Sequence, residues 1–393
     1  MPVDPFAWID DEAAKRDRLG LTRSLSEHGP ATPGRLLSGG QTLINFASND
    51  YLGLASDPRV IEAACEAARR FGWGAGASAL VCGWRQPHQE LAEALAEFEQ
   101  AEAVALFPTG YAANLGAIAA VVGPGDTVYA DRLNHSCLVN GARLSGARLR
   151  VYPHNDADRL ESLLARDRRD GGSKRILIAT DGVLSMDGDL APLRTLADLA
   201  DRFGAMLLVD EAHGTGVFGP DGRGACSAFG VADRVPIRVG TLSKALGSIG
   251  GFVAGSRRLI DHLHHRAPTF VYSTALPPAA AASARAALAV IQGEPERRAH
   301  LLAISRELRE SLPSTGSVIP PGEGPIVPIL LGEPGRALDR SQRLKEAGFL
   351  VPAIRPPTVP HCTSRLRISL SAAHATEDVA ALVQALDVAS LGD

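Results

Sequence analysis

From about residue 90 to residue 255, short apolar runs alternate with helical stretches, and no single motif restricts the fold as much as this alternation. Gln89 to Gln100 reads as a helix, Ala103 to Phe107 as a strand, and Ala112 to Val122 as a helix. After the turn Gly123-Pro124-Gly125-Asp126, strands are predicted at Thr127–Ala130, Leu149–Tyr152, Arg175–Thr180, Ala205–Asp210, Ile237–Thr241 and Phe252–Ala254. Strands separated by helices run mostly parallel, because each crossover lays a helix on one face of the sheet. The predicted class is therefore α/β, and in such sheets ligands sit beyond the carboxyl ends of the strands. From about residue 278 a long alanine-rich helix opens a second unit, with strands near Ile326–Leu331 and Leu366–Leu370. At the other end, residues 5–28 read as a charged amphipathic helix, 29–40 as a Gly/Pro-rich loop, and Leu43–Phe46 as a short strand.

Composition sets the outer limits. A chain of 393 residues, 45% hydrophobic and 21% charged, buries a full core. Its formal charge is −4 and its basic residues are spread along the chain, which leaves no electrostatic footprint for nucleic acid. The five cysteines are scattered and never form a Cys-x-x-Cys pair, the pattern of a reducing compartment without a zinc site. Met1-Pro2-Val3-Asp4-Pro5 carries acid and no apolar segment follows it, and the most apolar stretch, Ala275–Ile291, is broken by Pro277, Pro278 and Arg285. The expectation is a cytoplasmic protein with no signal peptide and no membrane span.

Chemistry collects at the predicted strand ends. Lys244 closes the apolar run Val239-Gly240-Thr241-Leu242-Ser243 and opens a glycine-rich one. The other three lysines, Lys15, Lys174 and Lys345, fall in a charged helix, a turn and an amphipathic segment. Apolar surroundings disfavour the charged form of a lysine and make its amine nucleophilic, as a Schiff-base lysine requires. Taken alone, the residue reads equally well as a packed stem with its head in water. The strand Met206–Val209 runs into Asp210-Glu211-Ala212-His213-Gly214-Thr215-Gly216, placing a carboxylate and an imidazole at a strand mouth. Asp-Glu-Ala-His also occurs in nucleotide hydrolases, but their Gly-Lys-Ser/Thr phosphate loop is missing, since the chain has no Gly-Lys dipeptide. Phe107-Pro108-Thr109-Gly110-Tyr111 turns a strand straight into a helix, whose free amides suit a phosphate. An aldehyde for Lys244, a ring nitrogen for Asp210 and a phosphate for Gly110 and Tyr111 together describe pyridoxal 5′-phosphate.

Five segments carry a family resemblance: Ser48-Asn49-Asp50-Tyr51-Leu52-Gly53-Leu54, Asp187-Gly188-Asp189, Asp210 to Gly216, Thr241-Leu242-Ser243-Lys244 and Tyr272 to Pro278. In this order they resemble the α-oxoamine synthases, pyridoxal-phosphate enzymes of the aspartate-aminotransferase fold. The resemblance implies a large domain with a mostly parallel seven-stranded sheet over 46–280, an N-terminal helix and arm over 1–45, and a smaller α+β domain over 281–393. It also implies a homodimer with shared active sites. Lys244 resembles the Schiff-base lysine, Asp210 the acid that keeps the pyridine nitrogen protonated, and His213 and Ser185 the partners of the ring oxygen. His135 resembles the histidine that stacks on the ring, Gly110 and Tyr111 the cofactor-positioning turn, and Thr241 the phosphate ligand. Ser273 and Thr274 resemble phosphate contacts given to the neighbouring subunit.

For substrates, Arg367 resembles the carboxylate-binding arginine, with Arg365 left as an ion-pair partner or its alternative. Asn49 resembles a residue near the amino acid, and Arg23 and Thr358 resemble contacts to the acyl group. The segment Ala353-Ile354-Arg355-Pro356-Pro357-Thr358-Val359-Pro360 is similar to that of the biotin-pathway branch, which implies L-alanine and pimeloyl-CoA or pimeloyl-acyl carrier protein as substrates. Sister activities, joining glycine to acetyl-CoA or succinyl-CoA or serine to a long acyl chain, share every cofactor residue. The loop Ala75–Val81 is more apolar than the family pattern, which leaves acyl-chain length open. No metal is expected.

Overall fold

The computed structural model describes residues 4–390, whose backbone divides into two compact units. One holds the residues up to Ser48, Met186–Gly188 and those from Leu301 onward; the other holds Asn49–Ser185 and Asp189–His300.

The first unit begins with helix α1, Trp8–Arg18, which is shorter than the helix predicted over 5–28. It stops where Gly20 takes a φ of 63°, a backbone state that side chains resist. What reads as a loop at 29–40 is instead a meander of β1 (His28–Thr32), β2 (Arg35–Ser38) and β3 (Gln41–Asn45). Every residue of β1 is exposed, so no burial alternation marks it in the sequence.

The second unit is built on a seven-stranded sheet whose strands are β4 (Ala103–Phe107), β5 (Thr127–Asp131), β6 (Arg148–Tyr152), β7 (Ile176–Asp181), β8 (Met206–Asp210), β9 (Ile237–Thr241) and β10 (Gly251–Gly255). Their order is β4-β10-β9-β8-β7-β5-β6. Only β10 runs antiparallel, pairing with both β4 and β9, so the mostly parallel sheet expected from the alternating pattern is present. Every residue of β4, β5, β7, β9 and β10 is buried, as helices on both faces demand, and such strands read as continuous apolar runs. The helices that precede and join them are α2 (Pro58–Phe71), α3 (Gln86–Glu99), α4 (Gly110–Val121), α5 (Ser136–Ser145), α6 (Ala157–Arg169) and α7 (Leu193–Phe203). On one face, Ile118 of α4 and Leu138 of α5 join Val128, Leu177, Leu208, Val239 and Val253 from five strands in one core.

Helix ends are set by local chemistry. Asp57 caps α2 by accepting the Arg59 N–H, and Pro58 supplies a preset first residue. Thr109 caps α4 through its hydroxyl, and His135 caps α5 through its ring.

The remainder of the first unit contains β11 (Ile326–Gly332), β12 (Phe349–Leu350), β13 (Ala353–Ile354) and β14 (Ser364–Ser369). Strand β12 joins β3 at the edge of the N-terminal meander. The other three form an antiparallel sheet in the order β11-β14-β13, the smaller C-terminal sheet. Among the described residues, no helix is long and apolar enough to cross a membrane.

Candidate active site

Six strands put their carboxyl ends along one edge of the sheet, and a cavity of about 240 Å³ lies beyond five of them. Its lining includes Gly110 and Tyr111 beyond β4, His135 beyond β5, Asp181 at the end of β7, Asp210 and His213 at and beyond β8, and Thr241 and Lys244 at and beyond β9. Seven of the sequence-predicted site residues are thus brought together.

Lys244 Nζ lies 2.7 Å from His213 Nε2. On the other side of the imidazole, Nδ1 lies 2.6 Å from the hydroxyl of Tyr51, which has no exposed surface. Asp210 is buried and collects donors: Asn114 Nδ2 at 2.7 Å and the Cys137 thiol at 3.7 Å on Oδ2, and the Ala212 N–H at 2.8 Å on Oδ1. Donors arranged in this way stabilise the negative form of a carboxylate. A second carboxyl, Asp181, accepts the backbone N–H of His135 at 2.6 Å. Burial, and then the nearby charge of Asp210, push the Asp181 carboxyl well above the usual carboxylate range. Burial also holds the His135 imidazole below its ordinary value, so its ring tends to be neutral. The same burial pushes the Cys137 thiol up and leaves it unreactive.

At the far end of the cavity, Thr109 satisfies two amides of α4, giving its hydroxyl oxygen to the Ala112 N–H and its carbonyl to that of Ala113. The Gly110 and Tyr111 amides, at the first two helical positions, have no partner in that cap, and the Thr241 side chain lies close against Gly110. These features fit pyridoxal 5′-phosphate: an amine, a buried carboxyl group ringed by donors, and a helix N-terminus beside a hydroxyl.

Other predicted residues stand apart from this cavity. Ser185 is buried on the turn after β7 and does not line it. Ser273 and Thr274 lie against Trp84 and His88 instead, and Thr274 bridges to Ser78. Asn49 Oδ1 accepts the Tyr51 hydroxyl at 3.2 Å. In the first unit, Arg23 Nη2 donates to Thr358 Oγ1 at 2.9 Å. Arg367, on β14, is buried and donates to Ser369 Oγ at 2.7 Å. Arg365, on the same strand, pairs with Asp187 at 2.6 Å.

Sequence reasoning did not single out Asn114, Cys137, Asp181 or Tyr51. Asp181 had a usable signal, because it ends a buried strand just as Asp210 does. Tyr51 lay inside a quoted motif, and nothing local distinguished its hydroxyl from those of other core tyrosines.

Residues 41–386 match the family model of aminotransferase class I and II. The chain is 51% identical over 379 residues to 8-amino-7-oxononanoate synthase of Anaeromyxobacter dehalogenans, covering 96% of this chain and 94% of that one. Among solved structures it resembles serine palmitoyltransferase from S. paucimobilis with a bound PLP–myriocin aldimine, with a TM-score of 0.94 and 30% identity over 99% of each chain. It also resembles 8-amino-7-oxononanoate synthase from Francisella tularensis, with a TM-score of 0.77 and 26% identity over 89% of this chain and 98% of that one. The chain belongs to the class I and II aminotransferase family, whose α/β fold it shares along nearly its whole length. Within that family its place is with the 8-amino-7-oxononanoate synthases, so that it is an acyl-transferring enzyme.

Proposed function

We propose that the chain joins L-alanine to a pimeloyl thioester, carried by coenzyme A or by acyl carrier protein, to give 8-amino-7-oxononanoate, carbon dioxide and free thiol. The observation that carries this reading is the half-buried Lys244 in the cavity at the strand ends, its Nζ 2.7 Å from His213 Nε2, with Asp210 in the same lining. The cofactor is pyridoxal 5′-phosphate, which when bound supplies an electron sink for the electrons left at Cα of the amino acid. Asp210 meets the ring nitrogen, its negative form supported by Asn114 and the Ala212 N–H. Gly110, Tyr111 and Thr241 take the phosphate, the neutral ring of His135 stacks on the cofactor, and His213 and Ser185 face the ring oxygen.

Lys244 moves protons at Cα. It removes one from alanine, and the carbon then bonds to the acyl carbonyl as the carbon–sulfur bond breaks and the thiolate takes up a proton. Loss of carbon dioxide breaks the bond from Cα to the carboxylate, and a proton returns to that carbon. Arg367 holds the alanine carboxylate, since Arg365 is already committed to Asp187. Asn49 lies near the amino acid, and Arg23 with Thr358 receives the acyl group.

The enzyme acts as a homodimer in which Ser273 and Thr274 serve the neighbouring site. In support, both lie outside the cavity of their own chain, and Trp73, Val81 and Tyr272 expose 75%, 78% and 86% of their surfaces. Large apolar side chains left this exposed suit cover by a second copy. The cytoplasm is the proposed compartment.

Thiol release by the cofactor-loaded protein tests the reading, with L-alanine plus pimeloyl-CoA run beside glycine plus acetyl-CoA. Release mainly with the alanine pair is expected. Release mainly with the glycine pair would move the chain to a sister activity.

A further inference from the structure

Glu211 follows Asp210 directly but turns away from the cavity. Its backbone N–H donates to the Val239 carbonyl of β9 at 2.6 Å, so it carries β8 one residue further, and successive side chains on a strand point to opposite faces. Asp210 lines the cavity, whereas Glu211 is buried outside that lining. The Glu211 carboxylate accepts the Ala225 N–H on Oε2 at 2.8 Å and the Cys226 N–H on Oε1 at 2.6 Å. These two amides open the short helix α8, Ala225–Ala228. Neither residue lines the cavity, so a bound cofactor does not compete for either bond.

The two bonds close residues 212–224 into a loop with Glu211 at its neck. At the start of the loop, the Glu211 carbonyl accepts the Gly214 and Thr215 N–H groups, both at 2.8 Å, and so forms the turn that carries His213. Farther along, Gly216 N–H donates to the Gly222 carbonyl at 2.7 Å and Gly224 N–H to the Phe218 carbonyl at 2.9 Å, which bonds the loop across itself. The main chain of one residue thus holds the outgoing end of the loop and its side chain holds the return. Three glycines make room for that side chain. A Cβ on Gly214 would run into Glu211 Oε2, one on Gly224, where φ is 105°, would come within 2.5 Å of it, and one on Gly182 within 3.2 Å. Gly182, just after β7, also donates its N–H to the Asp210 carbonyl at 2.8 Å. A carboxylate enclosed in this way has little room to move.

We propose that Glu211 is a positioning residue whose carboxylate closes this loop and so fixes His213, at the cofactor's ring oxygen, relative to Asp210, at its ring nitrogen. The proposal rests on the reading of those two residues as cofactor contacts. Both carboxylate oxygens accept, and an amide in the same place accepts on one side only, since its NH₂ would face the second N–H. Glu211→Gln therefore keeps the volume and opens one of the two bonds.

The first test needs no variant. Hydrogen exchange of the full cofactor-loaded chain, resolved to single amides by fragmentation mass spectrometry, is expected to show the Ala225 and Cys226 amides exchanging as slowly as those of β8, although a loop leads into them. Fast exchange at both would overturn the proposal whether or not any variant folds. In Glu211→Gln, the placing of His213 is read from the absorption of the bound cofactor. A donor on the ring oxygen favours its anionic, yellow form over its neutral form, which absorbs in the near ultraviolet. The ratio of yellow to neutral form is expected to fall roughly 2- to 10-fold, the effect of one weakened hydrogen bond, and kcat to fall roughly 10- to 100-fold. A variant that is less stable in urea yet keeps the wild-type ratio and kcat would overturn the proposal, because Glu211 would then hold the fold and nothing more. Neither the exchange nor the absorption depends on which thioester is used, so a wrong assignment of the reaction shows only in the thiol-release comparison.

Discussion

His154 should stabilise the fold through charge, and the size of the effect follows from its two partners. Its Nδ1 lies 3.0 Å from Asp131 Oδ1 and its Nε2 lies 2.7 Å from Asp189 Oδ2. Carboxylates on both ring nitrogens are satisfied together only by the imidazolium. The hydrogen bonds to Asp131 and Asp189, working against burial, raise its pKa from an ordinary 6.5 to about 10. At about 1.4 kcal/mol per pH unit this corresponds to at most ~5 kcal/mol. The side chain keeps 27% of its exposure, and solvent screening brings the contribution to roughly 2–4 kcal/mol.

The sign follows from the direction of the shift. A group whose pKa is raised by folding contributes fully below its unfolded value, here 6.5, and loses that contribution as pH climbs through about 10. His154→Leu keeps comparable volume and removes both donors. In urea unfolding followed by circular dichroism, the gap between wild type and variant should be roughly 2–4 kcal/mol at pH 6 and should nearly close by pH 10.5. Other groups that titrate in this range do so in both proteins and cancel in the difference. A gap that stays constant with pH would refute the argument, because it would mean lost packing rather than lost charge. The site should feel the change too. Asp131 anchors the turn to His135 by accepting the Leu133 N–H at 2.8 Å, and the Asp189 carbonyl accepts the Leu184 N–H beside Ser185 at 2.9 Å.

Lys244→Ala should abolish thiol release while leaving the fold intact by circular dichroism, and near-normal turnover would remove the mechanism. Asp210→Asn should lower kcat by roughly 10²–10³-fold, the usual cost of losing one aimed charge in a dry site, as read by steady-state thiol release. Arg367→Lys should raise the KM for alanine about 10-fold or more, because a lysine cannot grip a carboxylate bidentately; an unchanged KM would transfer the role to another residue. Gly247→Ala should destabilise by roughly 1–3 kcal/mol in the same urea assay, since its Cβ would run into the Ala55 nitrogen.

The sheet was legible because burying strands on both faces leaves long apolar runs, and β4, β10 and the first four residues of β7 are runs of that kind. The N-terminal meander was not, because β1 is fully exposed and owes its place to pairing with β2 rather than to a buried face. Residues of the site were legible where a strand end and an unusual residue coincide, as at Asp210 and Lys244. Asn114, one turn inside α4, and Cys137, in the first turn of α5, reach Asp210 only through the way those helices sit on the sheet. No local spacing encodes that distance. The resemblance of the motifs supplied what periodicity could not, namely which of several polar residues at a strand mouth belong to one site.

The two carboxyls in the cavity show why those supporting residues matter. Asp181 and Asp210 end adjacent strands in register, so the fold itself sets them side by side in a place with little water. Two like charges so placed repel, which disfavours charging both carboxyls at once. Burial and the neighbouring charge raise the Asp181 carboxyl, while Asn114, Cys137 and the Ala212 N–H all point at Asp210. The donors thus gather on Asp210, the residue proposed to face the ring nitrogen. Removing the Asn114 side chain takes one donor from Asp210 without touching any group proposed to react. The asymmetry between two chemically identical side chains thus comes from burial and the neighbouring charge on one and from side-chain donors on the other, and those side chains come from the helices packed over the strands.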